Sequence, residues 1–132
     1  MDETPPVATG KMVFVRMLTV VLATFFLLAG SIKLDPSPEA VVRFVRWGYP
    51  EWFLYLVGAM EMGGAIALLI PRVAGVGALL LGVIMVGATL THLLHDEMAA
   101  VPVPLVLLAL LAFVVYVKRD AVLALIWHFT KK

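Results

Sequence analysis

Four long apolar stretches, separated by short polar connections, dominate the pattern of hydrophobic and polar positions along the chain. Each is close to the roughly 20 residues that an α-helix needs to cross a bilayer. They are residues 13–32, 52–70, 73–94 and 101–117. The pattern predicts an all-α fold, a polytopic membrane four-helix bundle, in which residues 1–132 form a single transmembrane domain. Residues 1–10 are polar and proline-containing, and we expect them to be a flexible tail.

Two shorter segments are predicted to lie at the membrane surface. Between the first two spans, Ser37 and Pro38 indicate an N-cap with proline in the first helical turn, so we predict a short interfacial helix over residues 38–47. Its apolar side would cap the bundle, and Arg43 would point away from that side. The amphipathic C-terminal tail, residues 120–130, is too short to cross again and is predicted to be a second interfacial segment.

Composition places the chain in a lipid bilayer. It is 63% hydrophobic and 14% charged, with a mean hydropathy of +1.05, whereas soluble domains are about half apolar and about a quarter charged. Ten Lys and Arg residues against nine Asp and Glu give no basic face for nucleic acid. The absence of cysteine excludes disulfides, thiol redox relays and thiolate metal sites.

Basic residues predict the orientation of the four spans. Seven of them fall on the side that holds both termini and three on the other side, which predicts cytoplasmic termini, in what we take to be a bacterial cytoplasmic membrane. The seven are Lys11, Arg16, Arg72, Lys118, Arg119, Lys131 and Lys132; the three are Lys33, Arg43 and Arg46.

Glu61 is the one ionisable residue within the second apolar stretch, and an intramembrane acid is a functional-site hypothesis by default. It lies roughly 13 Å from either end of its span, and Thr24 and Gly82 are predicted to lie at about the same depth. Lys33 and His92 are predicted to lie nearer the outer surface. We therefore expect Glu61 to face the bundle interior as a neutral acid, bonded to Thr24 or to a backbone carbonyl near Gly82.

A second arrangement of the same residues is also open. An outward-facing cavity would join Glu61 to Thr89, His92 and Lys33 in a polar track suited to proton transfer or to a ligand head group. The predicted ligand-binding residues are Glu61, Lys33, His92, Thr24 and Thr89. Against both arrangements stands a structural interpretation, in which Glu61 makes a helix-to-helix hydrogen bond that fixes packing.

Small residues predict which helix faces pack together. Gly58, Glu61 and Ala65 share a face of the second span, and we expect it to pack on a stripe of the third span. That stripe is Gly75, Ala78, Gly82, Met85, Thr89 and His92. His92 and His95 at the end of the third span are better explained as surface residues than as metal ligands, so no metal is predicted.

A set of short motifs follows a fixed order over residues 13–94. Its positions are Arg16, Gly30 to Leu34, Phe44, Gly48 to Pro50, Gly58, Glu61 to Gly64, Leu68, Leu69, Pro71, Arg72, Ala74, Ala88 and His92. In this order and spacing the motifs resemble the DoxX family. The resemblance implies a four-helix membrane protein. It also points to Lys33 and Glu61, and less directly to Arg16, Arg72 and His92, as functional positions.

The family takes its name from a subunit of a thiosulfate-oxidising, quinone-reducing enzyme, so the resemblance implies a membrane subunit or accessory of an oxidoreductase system. In that reading the bundle binds a quinone or other lipophilic ligand. The alternative is a noncatalytic membrane scaffold or assembly factor that docks a partner protein, and a homo-oligomer is also open. A small proton-coupled carrier is less favoured, because the four short spans show no inverted repeat and no interruption in mid-membrane.

Overall fold

The computed structural model describes residues 6–131, and the chain in that range is helical throughout apart from short connections. The helices are α1 (Pro6–Leu34), α2 (Pro38–Arg46), α3 (Glu51–Leu69), α4 (Ala74–Leu94), α5 (Pro102–Val117) and α6 (Arg119–Thr130), with a single 3₁₀ turn at Met98–Ala100 before α5. The all-α prediction is confirmed.

Four of these helices are long and apolar enough to cross a membrane: Gly10–Leu34, Glu51–Leu69, Ala74–Leu94 and Met98–Val117. They agree with the predicted spans to within a few residues. The prediction of a flexible tail is wrong for residues 6–10, because they belong to α1. Pro6 suits the first turn of this helix, where no backbone N–H is needed. The first half of the predicted tail, residues 1–5, lies outside the described residues.

The spans form a bundle in which α1 packs along α3, and α4 packs between α3 and α5. A buried apolar cluster lies between all four of them: Leu22, Ala23, Phe26, Ala65, Leu68, Ala78, Leu81, Met85, Leu111 and Val114. Most other large apolar side chains are exposed on the outside of the bundle. That distribution is what a bilayer requires, because lipid solvates an apolar helix surface as well as protein does.

Glycines set how closely the spans approach, and they correct the predicted pairing of faces. Gly58 packs on α1, where a Cβ at this position would lie 2.8 Å from Lys33 Cβ, rather than on α4. The α3–α4 contact is instead made through Gly77, whose added Cβ would lie 2.7 Å from the Gly64 carbonyl oxygen. Gly75 packs against Val122 of α6, and Gly82 faces Leu108 of α5. At Gly75 and Gly82 the predicted stripe on α4 thus contacts α6 and α5 rather than α3.

The two shorter helices lie where the sequence predicts them. The Ser37 side chain caps α2 by accepting a hydrogen bond from the Ala40 N–H at 3.2 Å, with Pro38 in the first turn. Gly48 follows α2 with φ of 91°, a left-handed conformation that favours glycine. At the other end of the chain, Val122 anchors α6 against α4.

Gly77→Ala tests the close approach of α3 and α4. The added methyl group meets backbone that cannot move away, so we expect a loss of roughly 1–3 kcal/mol in the free energy of unfolding in detergent. Gly87→Ala on the same helix is the matched control, because nothing lies within 4 Å of its added Cβ. The control is expected to be neutral or stabilising by up to about 1 kcal/mol. Equal effects of the two substitutions would contradict the packing.

Candidate functional site

A buried ion pair joins α1 to α3. Lys33 Nζ lies 3.0 Å from Glu61 Oε2, and Glu61 is only 2% exposed. Glu61 therefore faces the bundle interior, as predicted, but the prediction that it lacks a cationic partner and bonds to Thr24 or near Gly82 is wrong. A buried carboxylate requires such a partner, because an unpaired charge in apolar surroundings carries a large desolvation cost.

The error comes from the axial register of α1 against α3. Matching the two spans end to end places Thr24 beside Glu61, whereas Gly30 contacts both Gly58 and Met62 in the structure. The shift is about six residues, or roughly 9 Å along the helix. Lys33 consequently lies about one helical turn from the level of Glu61, which its side chain can reach. Gly58 leaves room for the lysine stem to pass inward.

A cavity of about 530 Å³ opens beside this pair, between α1, α3, α4 and α5 and beneath α2. Its polar lining includes Lys33, Glu61, Arg43, Thr91 and His92. Aromatic and aliphatic side chains make most of the remaining wall: Phe25, Phe26, Ile32, Phe44, Trp47, Tyr49, Phe53, Leu54, Val57, Val83, Ile84, Met85, Val103 and Leu107. The site is therefore an apolar chamber with a charged pair on its α1–α3 side.

Glu97 ties the end of α2 to the end of α4 above the cavity. Its Oε1 accepts from the Trp47 indole N–H at 3.0 Å and lies 3.0 Å from His92 Nδ1. Because a carboxylate only accepts, Nδ1 must carry a proton, and Nε2 is then free to accept when the ring is neutral. The hydrogen bond from His92, helped by the Trp47 indole and the nearby histidines, holds the pKa of Glu97 below its usual value despite partial desolvation.

A second polar contact closes the same region. Thr91 donates its hydroxyl proton to the Gly87 carbonyl at 2.8 Å, so the 2.6 Å contact with the Tyr49 hydroxyl must be donated by Tyr49. His95 Nδ1 lies 2.8 Å from the Thr91 carbonyl oxygen. The chain between α2 and α3 is thereby fixed to the upper part of α4. Trp47, Tyr49 and Glu97, with α2, form what we call the roof of the cavity.

The structure brings some of the predicted ligand-binding residues together and separates others. Lys33, Glu61 and His92 line the cavity. Thr24 is exposed on the outside of α1 and donates to the Val20 carbonyl at 2.9 Å. Thr89 is half-buried, donates to the Met85 carbonyl at 2.8 Å, and does not contribute to the lining.

Other residues near the cavity were missed or misplaced. Arg43 was predicted to point away from the bundle; it is exposed, and it also borders the cavity, as Thr91 does. Glu97 lies in the polar connection between the third and fourth apolar stretches, and no role was predicted for it. The Gly48-Tyr49-Pro50 motif was the available signal for the roof of the cavity, because it places the aromatic ring of Tyr49 directly after α2. At the opposite end of the bundle, Arg16 donates to the Leu69 carbonyl at 3.2 Å and so caps α3.

A model of the DoxX-like family matches residues 17–114, which cover most of each of the four spans and all of the residues that line the cavity. The chain belongs to the DoxX-like family. This confirms the resemblance seen in the sequence, and with four apolar helices it makes the chain an integral membrane protein. One relative, the Uncharacterized protein YdgD of Bacillus subtilis (strain 168), is 35% identical over 89 residues, covering 64% of this chain and 78% of the relative. No solved structure matches the chain.

A double-mutant cycle on Lys33 and Glu61 measures the ion pair in this DoxX-like chain. Lys33→Met leaves a buried carboxylate unpaired and should lower the free energy of unfolding by about 1–3 kcal/mol, less than for a fully buried pair because Lys33 is partly exposed. Lys33→Met combined with Glu61→Met removes both charges and should recover most of that loss. Additive losses in detergent unfolding would show that the pair is not formed.

Glu97→Gln tests the roof through its pH dependence. A lowered pKa means that the folded protein binds this proton more weakly than the unfolded chain, so the stabilisation is present above about pH 4.5. It is lost as the pH falls through the lowered pKa. The melting temperature of the unaltered chain should therefore exceed that of Glu97→Gln at pH 7, and the two should converge in acid. A difference that stays constant with pH would contradict this assignment.

Proposed function

We propose that this DoxX-like protein binds a quinone or similar lipophilic ligand inside the bundle, as a membrane subunit or accessory of an oxidoreductase system. One observation carries the proposal: the cavity reaches a buried ion pair while the rest of its wall is largely aromatic and aliphatic. Its volume of about 530 Å³ falls within the range of about 300–1,000 Å³ typical of small-molecule sites.

The ion pair supports a ligand that both accepts and donates hydrogen bonds. A lysine ammonium has three N–H donors, and among the described residues Lys33 uses one of them, on Glu61 Oε2. A ligand carbonyl could accept from the others, and a ligand hydroxyl could donate to the second oxygen of Glu61. Quinone and quinol heads present these two groups respectively, so one site would serve both forms.

The aromatic side chains supply the second half of the recognition. Phe44, Trp47, Tyr49 and Phe53 form a continuous group, with ring centroids 5.2 Å apart for Phe44 and Trp47 and 4.9 Å apart for Tyr49 and Phe53. A flat conjugated head group can stack on such rings, while its uncharged edges contact the apolar side chains of the cavity wall. This is the environment in which a quinone ring is soluble and an inorganic ion is not.

An oxidoreductase partner would supply or accept electrons, since the chain has no cysteine with which to do so. The association with an oxidoreductase is proposed from the resemblance to the DoxX family. We retain the prediction, from the basic residues, that both termini are cytoplasmic. The cavity and its roof would then face the outer half of a bacterial cytoplasmic membrane.

A binding measurement in lipid nanodiscs tests the proposal. The probe is a benzoquinone with a ten-carbon alkyl chain. It is radiolabelled, so that its detection is the same with every protein variant. We expect the unaltered protein to bind it, and Lys33→Met and Glu61→Gln each to weaken binding by roughly 5- to 100-fold, the equivalent of about 1–3 kcal/mol for a lost buried hydrogen bond.

Thr24→Val is the matched control, because it removes a polar group from α1 that is exposed outside the bundle. It should bind the probe as the unaltered protein does. Melting temperatures of all variants separate lost binding from lost folding. If the unaltered protein does not bind the quinone, the proposal is wrong and the scaffold alternative becomes the better explanation.

A further inference from the structure

One side of the bundle is open at the level of the cavity. Within residues 6–131, α1 packs along α3 and α4 packs on both α3 and α5, but α1 and α5 share no extended contact. Phe14 and Phe113 do meet, with ring centroids 6.2 Å apart, towards the start of α1 and the end of α5. This contact joins α1 to α5 at the end away from the roof, where Leu22 of α1 and Leu111 of α5 also belong to the buried cluster.

The antiparallel register identifies which residues flank the open part. Moving about eleven residues along α1 from Phe14 reaches Phe25, and the same rise along α5 from Phe113 reaches the region of Val103. Both residues line the cavity, and both are also exposed, Phe25 by 42% and Val103 by 58%. Ile32, higher on α1, lines the cavity and is 64% exposed. These three residues therefore form an apolar margin between the cavity and the exterior.

The exterior at this margin is lipid, because both helices are membrane spans. A molecule that crosses the margin must be dissolved in the bilayer, and it meets only apolar side chains there. The polar groups that could hold its head, Lys33 and Glu61, lie on the α1–α3 side of the chamber. Polar groups inside and apolar groups at the opening match a molecule with one polar head and one apolar tail.

We propose that the ligand is a single-chain amphiphile that passes sideways from the bilayer between α1 and α5. Its head lies at Lys33 and Glu61, and its chain leaves the bundle past Phe25 and Val103 into the lipid. The inference rests on the proposed function, because it describes how the ligand of that site is held. It adds that the chamber encloses the head alone, so the length of the chain is not limited by the cavity.

Tryptophan substitutions at the margin test the path. Val103→Trp places a large ring in the opening, whereas Val106→Trp places it on the same helix at a residue that is equally exposed, 58%, and does not line the cavity. Ile32→Trp and Leu28→Trp form a second matched pair on α1, at 64% and 62% exposure, and only Ile32 lines the cavity. All four positions face lipid, so these changes should not disturb folding.

The measurement is the association rate of the ten-carbon benzoquinone in nanodiscs. We expect Val103→Trp and Ile32→Trp to slow association at least fivefold, and the two control variants to match the unaltered protein. Binding that is equally fast in the margin and control variants would overturn the lateral path while leaving the proposed function intact. Failure of the unaltered protein to bind the quinone would overturn both.

Chain length gives an independent test. At equal mole fraction in the bilayer, a benzoquinone with a long isoprenoid chain should bind within about threefold of the ten-carbon compound, because the additional carbons stay in lipid in the bound and free states. A loss of more than tenfold with the long chain would show that the chamber encloses the whole ligand, and it would overturn the inference. A benzoquinone without a chain should retain its contacts with Lys33 and Glu61. Lys33→Met should therefore weaken the binding of this compound by the same factor as it weakens the binding of the ten-carbon compound.

Discussion

The ion pair between Lys33 and Glu61 constrains the arrangement of the first two spans. A charge near the middle of a membrane span is costly, at about 2.5–3.5 kcal/mol for a basic or acidic residue on insertion scales. Two opposite charges that meet at 3.0 Å avoid most of that cost, provided that α1 and α3 are held in one axial register. Glycines at Gly30 and Gly58 make that register possible, because they allow the two backbones to touch where the lysine stem turns inward.

The same pair makes α1 and α3 dependent on each other. Either span alone would present an unpaired charge to lipid, while the two together present a neutral and hydrogen-bonded group. The other two spans need no comparable pairing of charges, because α5 is apolar throughout and the histidine of α4 lies at its upper end. The charged pair inside this DoxX-like protein is therefore confined to α1 and α3, and the other two spans provide mostly apolar wall, with Thr91 and His92 of α4 as its polar part.

The hydropathy pattern and local sequence signals predicted the helices. They did not predict how the helices are placed relative to one another. The spans, the N-cap at Ser37 and the short C-terminal helix follow from patterns within a few residues of one another. The pairing of Lys33 with Glu61 depends on an axial shift between helices, which the apolar period does not encode, because lipid tolerates many registers equally. Glu97 was missed for a related reason: its partners Trp47 and His92 lie on separate elements and meet only when α2 folds over the bundle.

The attachment of the roof has a mechanical consequence. Although α2 follows α1 directly in the chain, its far end is bonded to α4 and to the link before α5, through Trp47 with Glu97 and Tyr49 with Thr91. The short connection over residues 35–37 joins it to α1. The upper end of α1 is held to a different neighbour, α3, through the pair of Lys33 and Glu61 and the contact of Gly30 with Gly58. Residues 35–37 therefore bridge two separate attachments, one on α3 and one on α4, and any change that moved α3 relative to α4 would bend the chain at this point.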